Sequence, residues 1–225
     1  LLPAALFVVC FVLVASPQLL TSRELGQLSL RWVNEPDPIA WNQRVPYTVH
    51  DVYSLYPTSV LGIVIPGIFR HADPFIGWVV VSLAAIGAMA GWKKLAVRVF
   101  LVLAAWGLFL SLGSAFFLHG VLYSVLPYLN MARNPSMVIA VFHLGMAGLA
   151  AFGLDACRAA PEQCRRFVWP LAGISAVLYA GLALRISVRP ERGQEYYHLS
   201  VAALAALVLA CVFLAWSRSA IGNGW

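Results

Sequence analysis

Long apolar runs separated by short polar ones set the pattern of this chain. A membrane-spanning helix takes about 20 mainly apolar residues, and runs at 74–92, 96–114, 136–154, 168–187 and 198–217 approach or reach that length. A further run at 1–16 opens the sequence without a methionine and without the charged region that marks a signal peptide. We read it as a clipped spanning helix, and the chain as an interior piece of a longer protein. Two shorter apolar pieces, 52–69 and 115–127, are punctuated by Pro57, Pro66, Gly120 and Pro127. They predict partial or re-entrant helices, which a bilayer tolerates where protein or water covers their backbone. The expected fold is all-α: a polytopic transmembrane helical bundle of about six spans. It forms a single transmembrane domain over 1–225, with an outer loop at 17–73 carrying short helices. No strand pattern competes with the helices.

Composition strengthens this reading. Hydrophobic residues make up 61% of the 225 and charged ones 11%, and the mean hydropathy is +0.82, far from the soluble balance of about half apolar and a quarter charged. The net charge of +6 sits in short clusters between apolar runs, where it signals topology; no nucleic-acid partner is expected. Lys93, Lys94 and Arg98 mark one cytoplasmic loop, and Arg158, Arg165 and Arg166 a second, two spans later. Residues 17–73, 115–135 and 188–197 then fall outside, although Arg185, Arg189 and Arg192 sit on that side. Cys10 and Cys211 lie in apolar runs, and Cys157 and Cys164 share a polar loop at a spacing that matches no zinc signature. All four are expected as free thiols, with no metal. In "GMAGLAAFG", Gly145, Gly148 and Gly153, with Ala147 and Ala151, predict close helix packing, as do the alanines at 202, 203, 205 and 206. His143 and His119 are expected to hydrogen-bond between helices rather than relay protons.

Candidate chemistry concentrates in two places. The segment 17–56 mixes carboxylates, arginines and aromatics, a set able to hold phosphate or stack on sugar faces; its plainer reading is a solvated loop with an aromatic belt. Within it "EPDP" puts Glu35 and Asp37 on one side of a proline-stiffened extended segment, where two oxygens face a substrate or a divalent ion. The second place is "LPYLNMARNPSM". Asn130, Arg133 and Asn134 interrupt two apolar runs at a membrane face. The guanidinium of Arg133 either grips a lipid phosphate bidentately or snorkels to the headgroups, and the residues alone leave both open. No Walker loop, nucleophile elbow or HExxH motif is present.

The order of "LLTSRELGQ", "VPYTVHDVYSLYPTSVLG", "DPFIGWVVVSLAAIG" and "LYSVLPYLNMARNPSMVIAVFHLGMAGLAAFGLD" resembles the YfhO family of bacterial multispanning membrane proteins. The resemblance runs from about residue 10 to 156 and is sharpest over 123–155; beyond that it is one of hydropathy. It implies a GT-C-like glycosyltransferase of the bacterial inner membrane. Such a protein transfers a sugar from a polyprenyl-phosphate donor to a cell-envelope acceptor on the outer face, with no certain cofactor. By resemblance Arg133, within Leu126, Pro127 and Pro135, is the first candidate phosphate ligand, and Arg23, after Ser22, the second. The family often has a second arginine two positions after that proline, where this sequence has Met137. The general base is an acidic residue of the first outer loop, which belongs to the remainder of the full-length chain. A non-catalytic transporter or flippase-like scaffold is the alternative, but the spans carry few polar groups beyond His143.

Overall fold

In the computed structural model, residues 2–31, 37–40, 43–67, 73–126, 129–131, 134–188 and 193–222 are described. The helices follow as α1 (Leu2–Leu28), α2 (Tyr47–His50), α3 (Gly77–Gly91), α4 (Leu95–Ser111), α5 (Phe117–Val125), α6 (Ile139–Ala159), α7 (Glu162–Val188) and α8 (Gly193–Gly222). The all-α class is thus found, with one departure among the described residues: a two-stranded antiparallel ribbon of β1 (Leu30–Arg31) and β2 (Ile39–Ala40).

Among the described residues, three segments are long and apolar enough to cross a membrane: Pro135–Ala159, Glu162–Val188 and Tyr196–Arg218. The runs at 74–92 and 96–114 become α3 and α4, which are apolar but only 15 and 17 residues long. The shorter pieces fold as expected, into a 3-10 stretch at Pro57–Ile63 and the nine-residue α5. The opening run continues past its expected end. The chain stays helical through Pro17 to Leu28 because the local needs of the backbone are met. Proline lacks the N–H that would bond the Leu13 carbonyl, and the Ser16 hydroxyl donates to that carbonyl instead, at 3.0 Å. The Thr21 hydroxyl donates back to the Pro17 carbonyl at 2.8 Å.

The chain divides into two compact units, residues 1–52 with 121–134 and residues 53–120 with 135–225. In the larger unit α6 is central, packed against α3 and α4, while α7 and α8 pair with each other. One core cluster gathers Ile86, Val168, Leu171, Leu209 and Phe213, and a second Leu55, Val97, Ile139, Phe142 and Leu149. The glycine signal is confirmed in part. A Cβ at Gly145 would come within 2.5 Å of the Ala104 nitrogen, and one at Gly153 would strike the Leu83 carbonyl oxygen. Ala147 and Ala151, by contrast, are exposed. On α8, Ala202, Ala203 and Ala206 are buried and Ala205 is not. The Ser175 hydroxyl donates to the Ala203 carbonyl at 2.8 Å, a buried bond between α7 and α8.

His143 reaches a loop rather than a second helix: its Nε2 lies 3.2 Å from the carbonyl oxygen of Pro74, in the segment ahead of α3. Lys94 of the first basic loop and Ala159, Ala160 and Gln163 of the second line one hollow of the larger unit, where Lys94 sits 5.5 Å from the centre of the Phe152 ring on α6. The cysteine expectation needs correction. Cys10 and Cys211 are free and exposed, but Cys157 and Cys164 are paired as a disulfide. The turn from α6 into α7 brings their Cα atoms to 6.0 Å, within bonding range, and buries both side chains completely.

Candidate functional site

The smaller unit holds the polar construction. Leu30 pairs with Ala40 and Arg31 with Ile39, so the Arg31 side chain starts from a fixed strand. Its Nη1 donates to the Met131 carbonyl at 2.5 Å, and its Nη2 to the carbonyls of Gln43 at 3.1 Å and Ala40 at 3.4 Å. The turn after β2 is closed from both sides, since Gln43 N–H donates to the Ala40 carbonyl at 3.0 Å and Ala40 N–H to Gln43 Oε1 at 2.9 Å. A single planar cation thereby ties three backbone segments together, which the fork geometry of a guanidinium permits and an ammonium does not.

A second seam runs beside it. Val45 N–H donates to the Asn130 carbonyl at 2.9 Å, and the Tyr123 hydroxyl donates to the Val45 carbonyl. Val45 itself is fully buried, with Val49 and Ile39 around it. Pro46 caps α2, whose i, i+3 faces bring Tyr47 and His50 onto Tyr123. Ring centres stand 5.0 Å apart for Tyr47 and Tyr123, and 5.1 Å for His50 and Tyr123. His50 is 1% exposed.

The expected site residues divide. Asn130 lies in the 3-10 turn Leu129–Met131, and Asn134 closes the same stretch; both are half-buried. Each presents a buried side-chain carbonyl oxygen with no hydrogen-bond partner among the described residues, a state that is uncommon in native structures and that a bound water, ion or ligand relieves. Asn134 holds φ at 65°, the only non-glycine residue in the left-handed region among those described, and asparagine is one of the few residues that adopts it readily. Arg133, between them in sequence, lies outside the described residues, as does Glu35. Arg23 is exposed on α1 and Asp37 is exposed ahead of β2. No hydrogen bond among the described residues brings either to Asn130 or Asn134. No group of three His, Cys, Asp or Glu residues that could hold a metal converges among the described residues.

Sequence reasoning took in Arg31 and Tyr47 only as members of the mixed 17–56 segment, and passed over His50 and Tyr123. The i, i+3 spacing of Tyr47 and His50 after Pro46 was the one local signal for them. Burial shifts two of these groups: it pushes the Arg31 guanidinium below its ordinary value, where it remains a cation. It also raises the Tyr47 phenol above its ordinary 10.0, with the Asp51 carboxylate and then Tyr123 adding to the effect. The fold therefore favours the neutral phenol. That stability is fully present below about pH 10 and is lost as the pH rises through the raised folded value. Alkaline unfolding followed by far-UV circular dichroism should accordingly be weaker in Tyr47→Phe than in the wild type. An identical alkaline loss in the two proteins would contradict the assignment.

The large outward-facing apolar side chains, among them Trp169, Val177 and Leu184, together with three helices among the described residues long and apolar enough to span a bilayer, define the class: a helical membrane protein. No family model, curated protein or solved structure matches the chain.

Proposed function

We propose that this chain is the donor-binding portion of a GT-C-type membrane glycosyltransferase related to the YfhO family, with about six spans in a bacterial inner membrane. It passes a sugar from a polyprenyl phosphate to a cell-envelope acceptor on the outer face. The observation that carries the reading is the pair Asn130, in the Leu129–Met131 turn, and Asn134. Their two buried amide oxygens find no donor among the described residues, and sugar hydroxyls are donors. The turn is also fastened: Arg31 holds the Met131 carbonyl and Val45 N–H the Asn130 carbonyl.

In the reaction an acceptor hydroxyl, deprotonated by a carboxylate of the remaining chain, attacks the anomeric carbon. The bond from that carbon to the phosphate oxygen breaks, and the polyprenyl phosphate leaves with the electron pair. Charge grows on the leaving phosphate, so a cation held in place beforehand accelerates the step. Arg133 is assigned that role and Arg23 the second place.

Transfer and translocation give different products. Membranes carrying the full-length protein and a sugar-labelled polyprenyl phosphate should move label from lipid to a lipid-free acceptor. Label that stays on its lipid and only changes face would replace this reading with the flippase-like scaffold. Asn134 offers a local check: a β-branched residue at positive φ costs about 1–2 kcal/mol. Asn134→Val should therefore lower thermal stability and donor binding together, while Asn134→Gly keeps the stability and loses donor affinity. Unchanged affinity in Asn134→Gly would remove the residue from the site.

A further inference from the structure

We infer that the cleft between α7, α8 and the Leu61–Gly67 segment holds an acyl chain of an anionic phospholipid, with Arg185 and His198 at its mouth receiving the phosphodiester. The cleft has a volume of about 510 Å³, within the range of built ligand sites. On α7 its wall is Val177, Leu178, Gly181 and Leu182. These lead to Arg185, about 12 Å of helix rise from Val177. An elongated apolar trough with a cation at one end has the outline of a lipid chain and its headgroup.

Position and anchoring agree with that occupant. The span containing Arg185 ends at Val188, so the guanidinium stands within one turn of the end of a spanning helix, at the depth where arginines meet headgroups. The Tyr196 hydroxyl donates to the Arg185 carbonyl at 3.1 Å, which ties the start of α8 to the end of α7. His198 is wedged by the backbone opposite. Gly67 adopts φ +77°, and a Cβ placed on it would lie 3.1 Å from the imidazole Cε1. The Gly67 N–H is itself held by Asp73 Oδ2 at 3.3 Å. Within the trough, a Cβ added at Gly181 would have no atom within 4 Å, so the space there is open and apolar. A soluble phosphate has no use for such walls, whereas an acyl chain fills them. The inference stands on this cleft alone and does not depend on glycosyl transfer.

The test uses the full chain in nanodiscs of phosphatidylcholine, doped with phosphatidylglycerol or phosphatidylcholine that carries a photoreactive group on one acyl chain. Labelling of the 177–185 peptide should favour phosphatidylglycerol by about tenfold, the yield of a charge-assisted contact to phosphate. Arg185→Gln should bring the two lipids to parity. Gly181→Leu should reduce labelling of that peptide by both lipids while preserving thermal stability, because the new side chain enters open space and removes a helix-interior glycine. Soluble glycerol 3-phosphate should not compete. Equal labelling by the two lipids in the wild type would overturn the headgroup assignment. Undiminished labelling in Gly181→Leu, or full competition by glycerol 3-phosphate, would overturn the chain assignment. Preferential labelling by a photoreactive polyprenyl phosphate over phosphatidylglycerol would overturn the phospholipid itself.

Discussion

Gly153→Leu is expected to disrupt the packing of α3 on α6. A Cβ at this position strikes the Leu83 carbonyl oxygen and comes within 3.1 Å of the Gly87 nitrogen. Both are backbone atoms of the facing helix, so no side-chain rotation relieves the contact and α3 as a whole must move. The opposite view is equally tight, since a Cβ on Gly87 would approach the Gly153 nitrogen to 2.7 Å. Overpacking in well-filled cores costs about 1–3 kcal/mol where side chains can adjust. Backbone against backbone should reach at least the upper end of that range. Gly173→Leu is the matched control, because a Cβ there meets nothing within 4 Å. Thermal unfolding in detergent should show a large loss for position 153 and little change for position 173. Equal stability of the two variants would refute the α3–α6 contact.

Arg31→Met should release the polar turn of the smaller unit. Methionine keeps the length of the side chain and removes the donors that hold Met131, Gln43 and Ala40. Hydrogen bonds from charged groups contribute about 1.5–3 kcal/mol each. Even with one of them fully counted, exchange of the Val45 amide, which is bound to the Asn130 carbonyl, should accelerate by at least about tenfold. Arg31→Lys should restore only part of the protection, because a point charge cannot reach three carbonyls in a fork. Unchanged exchange at Val45 in the methionine variant would show that the seam holds without the guanidinium.

How far the sequence disclosed this molecule follows from the range of the forces involved. Apolar runs are local, and each long run became a helix. Runs alone overstate span length, since α3 and α4 stop at Gly91 and Ser111. Gly145 and Gly153 were legible as small residues in one helix. Their partners Gly87 and Ala104 were not, because a close approach is a property of two helices. The continuation of α1 through Pro17 depended on a hydroxyl satisfying one carbonyl, which hydropathy does not register. The disulfide between Cys157 and Cys164 needed the turn geometry that joins α6 to α7. In the candidate site, Asn130 and Asn134 stood out because polar groups interrupt apolar runs. Arg31 did not, since its role rests on Met131, a hundred positions away. A short ribbon of two-residue strands likewise has no hydrophobic period to reveal it.

The central proposal is that Asn130 and Asn134 bind the phosphate-linked sugar and that Arg133 stabilises the departing phosphate. Full-length protein in membranes should be given labelled polyprenyl-phosphate sugars, with wild type, Arg133→Lys and Arg133→Ala compared. The account predicts donor consumption by the wild type, a fall of about 10²–10³-fold in kcat for Arg133→Ala, and an intermediate rate for lysine. Equal turnover by the alanine variant would contradict the role of Arg133, and a wild type that consumes none of the donors would contradict the enzyme itself.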